Sequence, residues 1–226
     1  MRILVVSATP FELTPLIQYL EQAPFQQEQA SLFRKDHHEI QLLITGVGMT
    51  LTTYHLTKTL TKGSFDLVIN AGIAGSFKRG LKLGEVVQVV SEQFGDLGIE
   101  EADGSFTDLF AMDLLDPDFP PFTHGKLLQE IEEPIPGLPA VAGLTVNRVH
   151  GYPASIEACR HRYQADIETM EGAAVFLCCL SEAAPFLAIR SISNYVEKRD
   201  RSTWDIPLAI DQLNQTLRSM IDTILE

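Results

Sequence analysis

Positive charge is what this chain has least of. It carries 17 basic against 30 acidic residues, a net charge of −13 over 226 residues. Nucleic-acid phosphates need a basic footprint and anionic membrane surfaces attract Lys and Arg, so no nucleic acid and no membrane is expected as a partner. A small neutral or weakly charged substrate suits that balance, with local arginines still able to hold an anion. No apolar run reaches the roughly 18 to 20 residues of a membrane helix. The N-terminal Arg2-Ile-Leu-Val-Val6 is too short for a signal peptide and lacks a small-residue cleavage site, so it reads as a first core strand. Cysteine is also scarce: Cys159, Cys178 and Cys179 are odd in number and two are adjacent, which implies no disulfide framework. Cys178-Cys179 falls inside the apolar Val175–Leu180 stretch and reads as buried thiols. The six histidines show no ligand spacing, so neither a metal nor a cofactor is expected. A reducing cytoplasm is the expected location. Internal repeats, low-complexity tails and domain linkers are all missing.

What is present is an alternation of apolar runs and helical patterns. Strands are expected at Arg2–Ser7, Glu39–Thr45, Asp66–Ala71, Gly84–Glu92, Pro139–Leu144, Asp166–Thr169 and Phe186–Ser193. Helices are expected at Phe11–Gln22, from about Thr50 to Thr61, at Glu171–Glu182 and at Pro207–Leu225. Continuously apolar strands alternating with helices imply a mainly parallel α/β sheet covered on both faces, within one large domain of residues 1–226. The stretch 95–137, rich in Asp, Phe, Pro and Gly, reads as a long ordered insertion near one end of the sheet, suited to a partner contact.

In such sheets ligands sit at the carboxyl ends of strands. Glu12, Gly72–Gly75, Met170-Glu171 and Asn194 all follow expected strands. The loops Gly46-Val-Gly48 and Gly72-Ile-Ala-Gly75 match neither a dinucleotide fingerprint nor a P-loop. Each serves either as an ordinary strand-to-helix turn or as a backbone cradle for a ribose or base. Glu12 is either a first-turn acid favoured by the helix dipole or a general base for water. Glu171 is either another helix-start acid or a bidentate acceptor for two vicinal ribose hydroxyls. Asn194 either caps a turn or reads a purine. A 6-oxopurine offers two acceptors along its N7/O6 edge, where adenine offers an acceptor and a donor, and a carboxamide can donate to N7, O6 or both.

Five strings carry a family resemblance over nearly the whole chain: Met1-Arg-Ile-Leu-Val-Val-Ser-Ala8 with Glu12, Ile69-Asn-Ala-Gly-Ile-Ala-Gly75, Leu83-Gly-Glu-Val-Val87, Glu168-Thr-Met-Glu-Gly-Ala-Ala174 and Arg190-Ser-Ile-Ser-Asn194. In this order and spacing they resemble the nucleoside phosphorylase/nucleosidase superfamily, in its methylthioadenosine/S-adenosylhomocysteine nucleosidase branch. Within that branch the chain is most similar to the futalosine hydrolases of menaquinone biosynthesis. Three stretches suggest it: Gly143-Leu-Thr-Val-Asn147, Ile99-Glu-Glu-Ala-Asp-Gly104, and Ser193-Asn-Tyr-Val196 with Arg199-Asp-Arg-Ser-Thr-Trp204.

The resemblance implies a single-domain three-layer α/β sandwich around a central mixed, mainly parallel sheet, and a tendency to form homodimers or higher homo-oligomers. It implies that Glu12 activates water and that Gly72, Ile73, Ala74 and Gly75 border the sugar. Met170 and Glu171 would hold the ribose, and Asn194 would stand where adenine-specific relatives have an aspartate. Val146 and Asn147 would lie along the purine, Val146 by stacking and Asn147 through main-chain groups, and Trp204 would line the site. The expected reaction is hydrolysis of the N-ribosidic bond of futalosine, a nucleoside of the 6-oxopurine hypoxanthine. The alternatives are an adenine-releasing nucleosidase, disfavoured by Asn194, and a phosphorylase, disfavoured because Ser7–Glu12 and Asn70–Ser76 contain no arginine. A non-catalytic nucleoside sensor would not need Glu12.

Overall fold

The computed structural model describes residues 1–22, 24–129 and 134–225. The strands are β1 (Arg2–Ser7), β2 (Gln26–Gln29), β3 (Leu32–Lys35), β4 (His38–Ile44), β5 (Leu67–Ser76), β6 (Val86–Phe94), β7 (Gly98–Glu100), β8 (Phe106–Asp108), β9 (Phe122–Thr123), β10 (Lys126–Leu128), β11 (Ala140–Thr145), β12 (Ile167–Thr169) and β13 (Phe186–Tyr195). The helices are α1 (Pro10–Leu20), α2 (Met49–Leu60), α3 (Pro153–Arg162), α4 (Gly172–Ser181) and α5 (Ile206–Ile224).

The central sheet is mixed. Strands β4, β1, β5 and β13 run parallel to their neighbours, as do β6, β11 and β12. The two groups meet in antiparallel pairs, β13 with β6 and β12 with β5. Strand β5 is the hinge of this arrangement. Its first half pairs with β1, its last residues pair with β12, and β13 follows it from Val68 to Ser76. The circuit β5–β13–β6–β11–β12 therefore closes on itself, and the strand ends that carry chemistry converge at one mouth.

Helices cover the sheet. On α5 the buried positions Ala209, Ile210, Leu213, Leu217 and Ile221 recur every three or four residues, an apolar stripe that meets α1 and the β1/β5 face. Burying each large side chain of that stripe is worth roughly 1.5–3 kcal/mol. Asp205 starts α5 by accepting from the Leu208 N–H at 3.1 Å, and Pro207 occupies the first turn, where its missing N–H costs nothing. On the other side, Leu56 of α2 and Val175 and Cys179 of α4 pack with Leu4, Val6 and Val68. Cys178 and Cys179 are buried free thiols, as their apolar context requires. No described helix is long and apolar enough to cross a membrane.

Several boundaries differ from the sequence expectation. Gly72–Gly75 is not a turn: β5 continues through it to Ser76, because β13 and β12 supply hydrogen-bond partners on both sides. Asn194 likewise does not open a loop. It lies inside β13, just after a bulge between Ile192 and Asn194 that re-aims the side chain. Strands β2 and β3 and helix α3 were not foreseen. β2 is a polar edge strand, β3 beside it is only four residues long, and α3 has almost no apolar stripe. Within 95–137, β7 pairs with β8 as a separate hairpin, β9 pairs with β10, and β10 extends the main sheet beside β6. Residues 130–133 of that stretch lie outside the described residues.

Candidate active site

At the ends of β1 and β5 lies a small cavity lined by Glu12, Asn70, Gly72, Ile73, Glu171 and Arg190, together with Ala8 and the buried Thr45 and Thr52. Two carboxylates from distant parts of the chain thus share one space. Thr9 precedes the first turn of α1, and Glu12 turns back to it. Its Oε2 accepts from the Thr9 N–H at 3.0 Å, the Thr9 hydroxyl at 2.9 Å and the Ser7 hydroxyl at 3.0 Å. Oε1 accepts from the Ile73 N–H at 3.2 Å. Four donors from β1, the turn and β5 fix the carboxylate, and a Cβ at Gly72 would stand 3.0 Å from Oε1. The Gly72–Gly75 run thus brings bare backbone against Glu12.

Glu171 occupies the N-cap position of α4, and its Oε1 accepts from the Gly48 N–H at 2.7 Å. Gly48 has φ +95°, a backbone state costly for any residue with a side chain, so the Gly46-Val-Gly48 turn serves to aim this N–H. Among the described residues Oε2 of Glu171 accepts nothing, which leaves one carboxylate oxygen for a ligand hydroxyl. Burial raises the Glu171 pKa above the ordinary carboxylate value. The Gly48 hydrogen bond and the Arg190 charge pull it down, while Glu12 adds repulsion.

Asn194 and Gly75 form a second cluster further along β5. The Ser193 hydroxyl donates to Asn194 Oδ1 at 2.8 Å, and Asn194 Nδ2 donates to the Tyr195 carbonyl at 3.0 Å. These partners decide which end of the amide is oxygen. They leave the second Nδ2 hydrogen uncommitted. Ala74 contributes its carbonyl, which also lies 3.2 Å from the Ser193 hydroxyl.

The remaining expected residues are dispersed. Met170 precedes Glu171 and is partly buried. Val146 is fully buried among Leu144, Cys159 and Tyr163, so it belongs to the wall behind the segment, and the apolar side chain this segment exposes is Val149. Asn147 gives its main-chain N–H to Asp96 Oδ2 at 2.6 Å and its side-chain amide to Asp96 Oδ1 at 3.2 Å. Trp204 does not line the Glu12–Glu171 cavity. It sits between two guanidinium groups, with Arg199 5.0 Å and Arg201 5.9 Å from its ring centre.

Three residues escaped the sequence reading. Arg190 is fully buried and donates from Nη1 to the Asn70 carbonyl at 3.1 Å and the Ile189 carbonyl at 2.8 Å, and from Nη2 to the Asn70 side chain. Burial lowers its pKa, opposed by Glu92, Glu171 and Glu12. The third is Glu92, also fully buried. Its Oε2 accepts from the Thr145 hydroxyl at 2.9 Å, while Oε1 has no partner among the described residues. A Cβ at Gly143 or Gly172 would overlap its carboxyl, so both glycines make room for it. The signal was available: Asn70, Glu92 and Arg190 are polar residues in otherwise apolar strands.

Burial pushes the Glu92 pKa up to about 7, against the pull of Arg190 and Thr145. An unfolded glutamate titrates near ~4.3. Between these values the folded state holds the proton more tightly, so stability falls as pH rises from about 4 to about 7 and levels above that. The full span is worth roughly 3–4 kcal/mol. Calorimetric melting should therefore show a flatter pH dependence for Glu92→Gln than for the unmodified protein between about pH 4 and 7. Parallel curves would mean the carboxyl does not titrate in that window.

Comparison with known proteins places this geometry. The profile of the Phosphorylase superfamily matches residues 2–226. The futalosine hydrolase of Acidothermus cellulolyticus is 30% identical over 191 residues, covering 79% of this chain and 74% of that one. A 5'-methylthioadenosine/S-adenosylhomocysteine nucleosidase of Bacillus thuringiensis is 27% identical over 216 residues, covering 91% and 90%. The crystal structure of the Helicobacter pylori futalosine hydrolase superposes with a TM-score of 0.77 at 20% identity, covering 99% and 98%, and shares the fold.

Proposed function

Because the chain belongs to the Phosphorylase superfamily, we propose that it is an N-ribosyl hydrolase whose substrate is futalosine, releasing hypoxanthine and dehypoxanthine futalosine. The observation that carries the reading is the pair Glu12 and Glu171 in one cavity, with an amide at position 194. Relatives at about 30% identity bear the futalosine hydrolase name, and the amide suits a 6-oxopurine.

The reaction passes through an oxocarbenium-like transition state, in which positive charge grows on the ribose and electrons flow to the purine. Glu12, already fixed by four donors, orients a water and takes its proton, worth roughly 10²–10⁴ in rate. Glu171 uses its unoccupied oxygen to hold the ribose, and its partly desolvated charge faces the cationic sugar. Asn194 donates its remaining N–H to N7 or O6 and stabilises the departing base. Met170 packs on the sugar, and Gly72 to Gly75 border it. In this reading Asn147 lies along the purine and Trp204, outside the Glu12–Glu171 cavity, stands at the edge of the site.

Phosphate is a poor fit as co-substrate. The cavity presents two carboxylates, and its one guanidinium, Arg190, spends Nη1 and Nη2 on Asn70 and Ile189. Incubation with futalosine should release free hypoxanthine at a rate unchanged by added phosphate. A rate that needs phosphate, or no release at all, rejects the hydrolase reading. The reading also includes a single nucleosidase domain over residues 1–226, a place in menaquinone biosynthesis and a cytoplasmic location. It includes a homodimer or higher homo-oligomer as well, supported by exposed Val47 before α2 and exposed Leu51 and Tyr54 on it.

A further inference from the structure

Glu168 is a second acid of the Glu168-Thr-Met-Glu171 string, and the mechanism above does not use it. It is 4% exposed and grips one residue at two points. Its Oε1 accepts from the His150 backbone N–H at 3.0 Å, and its Oε2 meets His150 Nδ1. The imidazole is only partly buried, and its Nε2 has no partner among the described residues. Register places this pair beside the base-recognition amide. Asn194 and Glu168 are both paired with Gly75, from opposite sides of β5, and residues paired in register share a sheet face. Gly75 carries no side chain, and Val196 packs where its Cβ would be, an apolar floor 3.0 Å from that point. Asn194 and Glu168 thus stand on one face two strand spacings apart, about 10 Å, a gap of the order that a purine with a hydrogen bond at each end would bridge.

We infer that His150 is a specificity-determining residue: Glu168 holds it as the Nδ1–H tautomer, and its Nε2 accepts the N1–H of a 6-oxopurine. The inference rests on the nucleosidase reading and deepens it. A carboxylate oxygen accepts, so the shared hydrogen sits on Nδ1, and in the neutral form of the ring Nε2 presents a lone pair. Hypoxanthine has a hydrogen on N1 to give. Adenine has a lone pair there, which would face the Nε2 lone pair. His150 would then discriminate at the ring edge that Asn194 does not touch.

The two-point grip makes the test sharp. In Glu168→Gln the amide oxygen must still accept the His150 backbone N–H, which turns the NH₂ group toward Nδ1. The ring hydrogen then moves to Nε2, converting an acceptor into a donor. Hypoxanthine and adenine binding should be measured by titration calorimetry on the unmodified protein, Glu168→Gln and His150→Ala. The unmodified protein should prefer hypoxanthine by at least tenfold. Glu168→Gln should shift the hypoxanthine-to-adenine ratio toward adenine by at least tenfold, and His150→Ala should cut hypoxanthine affinity at least tenfold with adenine nearly unaffected. If both variants weaken the two bases by equal factors, or leave both unchanged, His150 is only structural and the inference is overturned. Should Glu168→Gln fail to fold, the ratio in His150→Ala decides alone. A protein that releases hypoxanthine from futalosine but shows no ratio change loses only this assignment. One that binds neither base loses the nucleosidase reading, and this inference with it.

Discussion

Glu12→Gln should leave a folded protein whose hypoxanthine release is reduced at least a hundredfold. Four donors converge on this carboxylate, from Ser7, Thr9 twice and Ile73. A glutamine keeps the shape and can accept at only one end, so its NH₂ must face either the Ser7–Thr9 cluster or the Ile73 N–H. One mismatched donor costs roughly 1–3 kcal/mol of stability, which a domain of this size tolerates. The larger effect is chemical, since an amide cannot take the proton of a water and the general-base contribution of roughly 10²–10⁴ is lost. Release rates with futalosine, read beside a circular-dichroism melt, separate the two effects. Near-normal turnover in a folded variant removes Glu12 from the mechanism.

Asn194→Asp should reduce kcat/KM on 6-oxopurine nucleosides by about 10- to 100-fold, the equivalent of one hydrogen bond worth roughly 1–3 kcal/mol, and should admit adenine nucleosides. The structure explains why the change goes beyond a swap of partners. The Ser193 hydroxyl already satisfies Oδ1, so the second oxygen of an aspartate would replace Nδ2 opposite the Tyr195 carbonyl, where two acceptors repel. The side chain must rotate or take up a proton, and a protonated or rotated acid can pair with the donor–acceptor edge of adenine. Competition between inosine and adenosine reports this directly. An unchanged preference would contradict recognition through residue 194.

Glu12 and Glu171, which the structure brings into one cavity, were legible because their marks in the sequence are local. Glu12 follows a strand and a Thr-Pro turn, and Glu171 follows a short strand into a helix of small residues. Both features leave marks within a few residues. Val146 shows where locality fails. It was expected to stack on the purine, and whether it faces ligand or core depends on Tyr163 and Cys159, which reach it through α3. Trp204 does not line the Glu12–Glu171 cavity, and Arg199 and Arg201 stand over its ring.

The seven expected strands, the four expected helices, the burial of Cys178 and Cys179 and the acidic balance were properties of sequence alone, because each depends on composition or on periodicity within one segment. The closure of β5, β13, β6, β11 and β12 into one circuit, the strand conformation of Gly72–Gly75, and the burial of Arg190 and Glu92 belonged to the tertiary structure. The physical reason is that backbone pairing and desolvation are set by which strands lie alongside. A glycine run becomes a strand, and a charged side chain becomes a buried one, only when residues 53 to 120 positions away supply the partners.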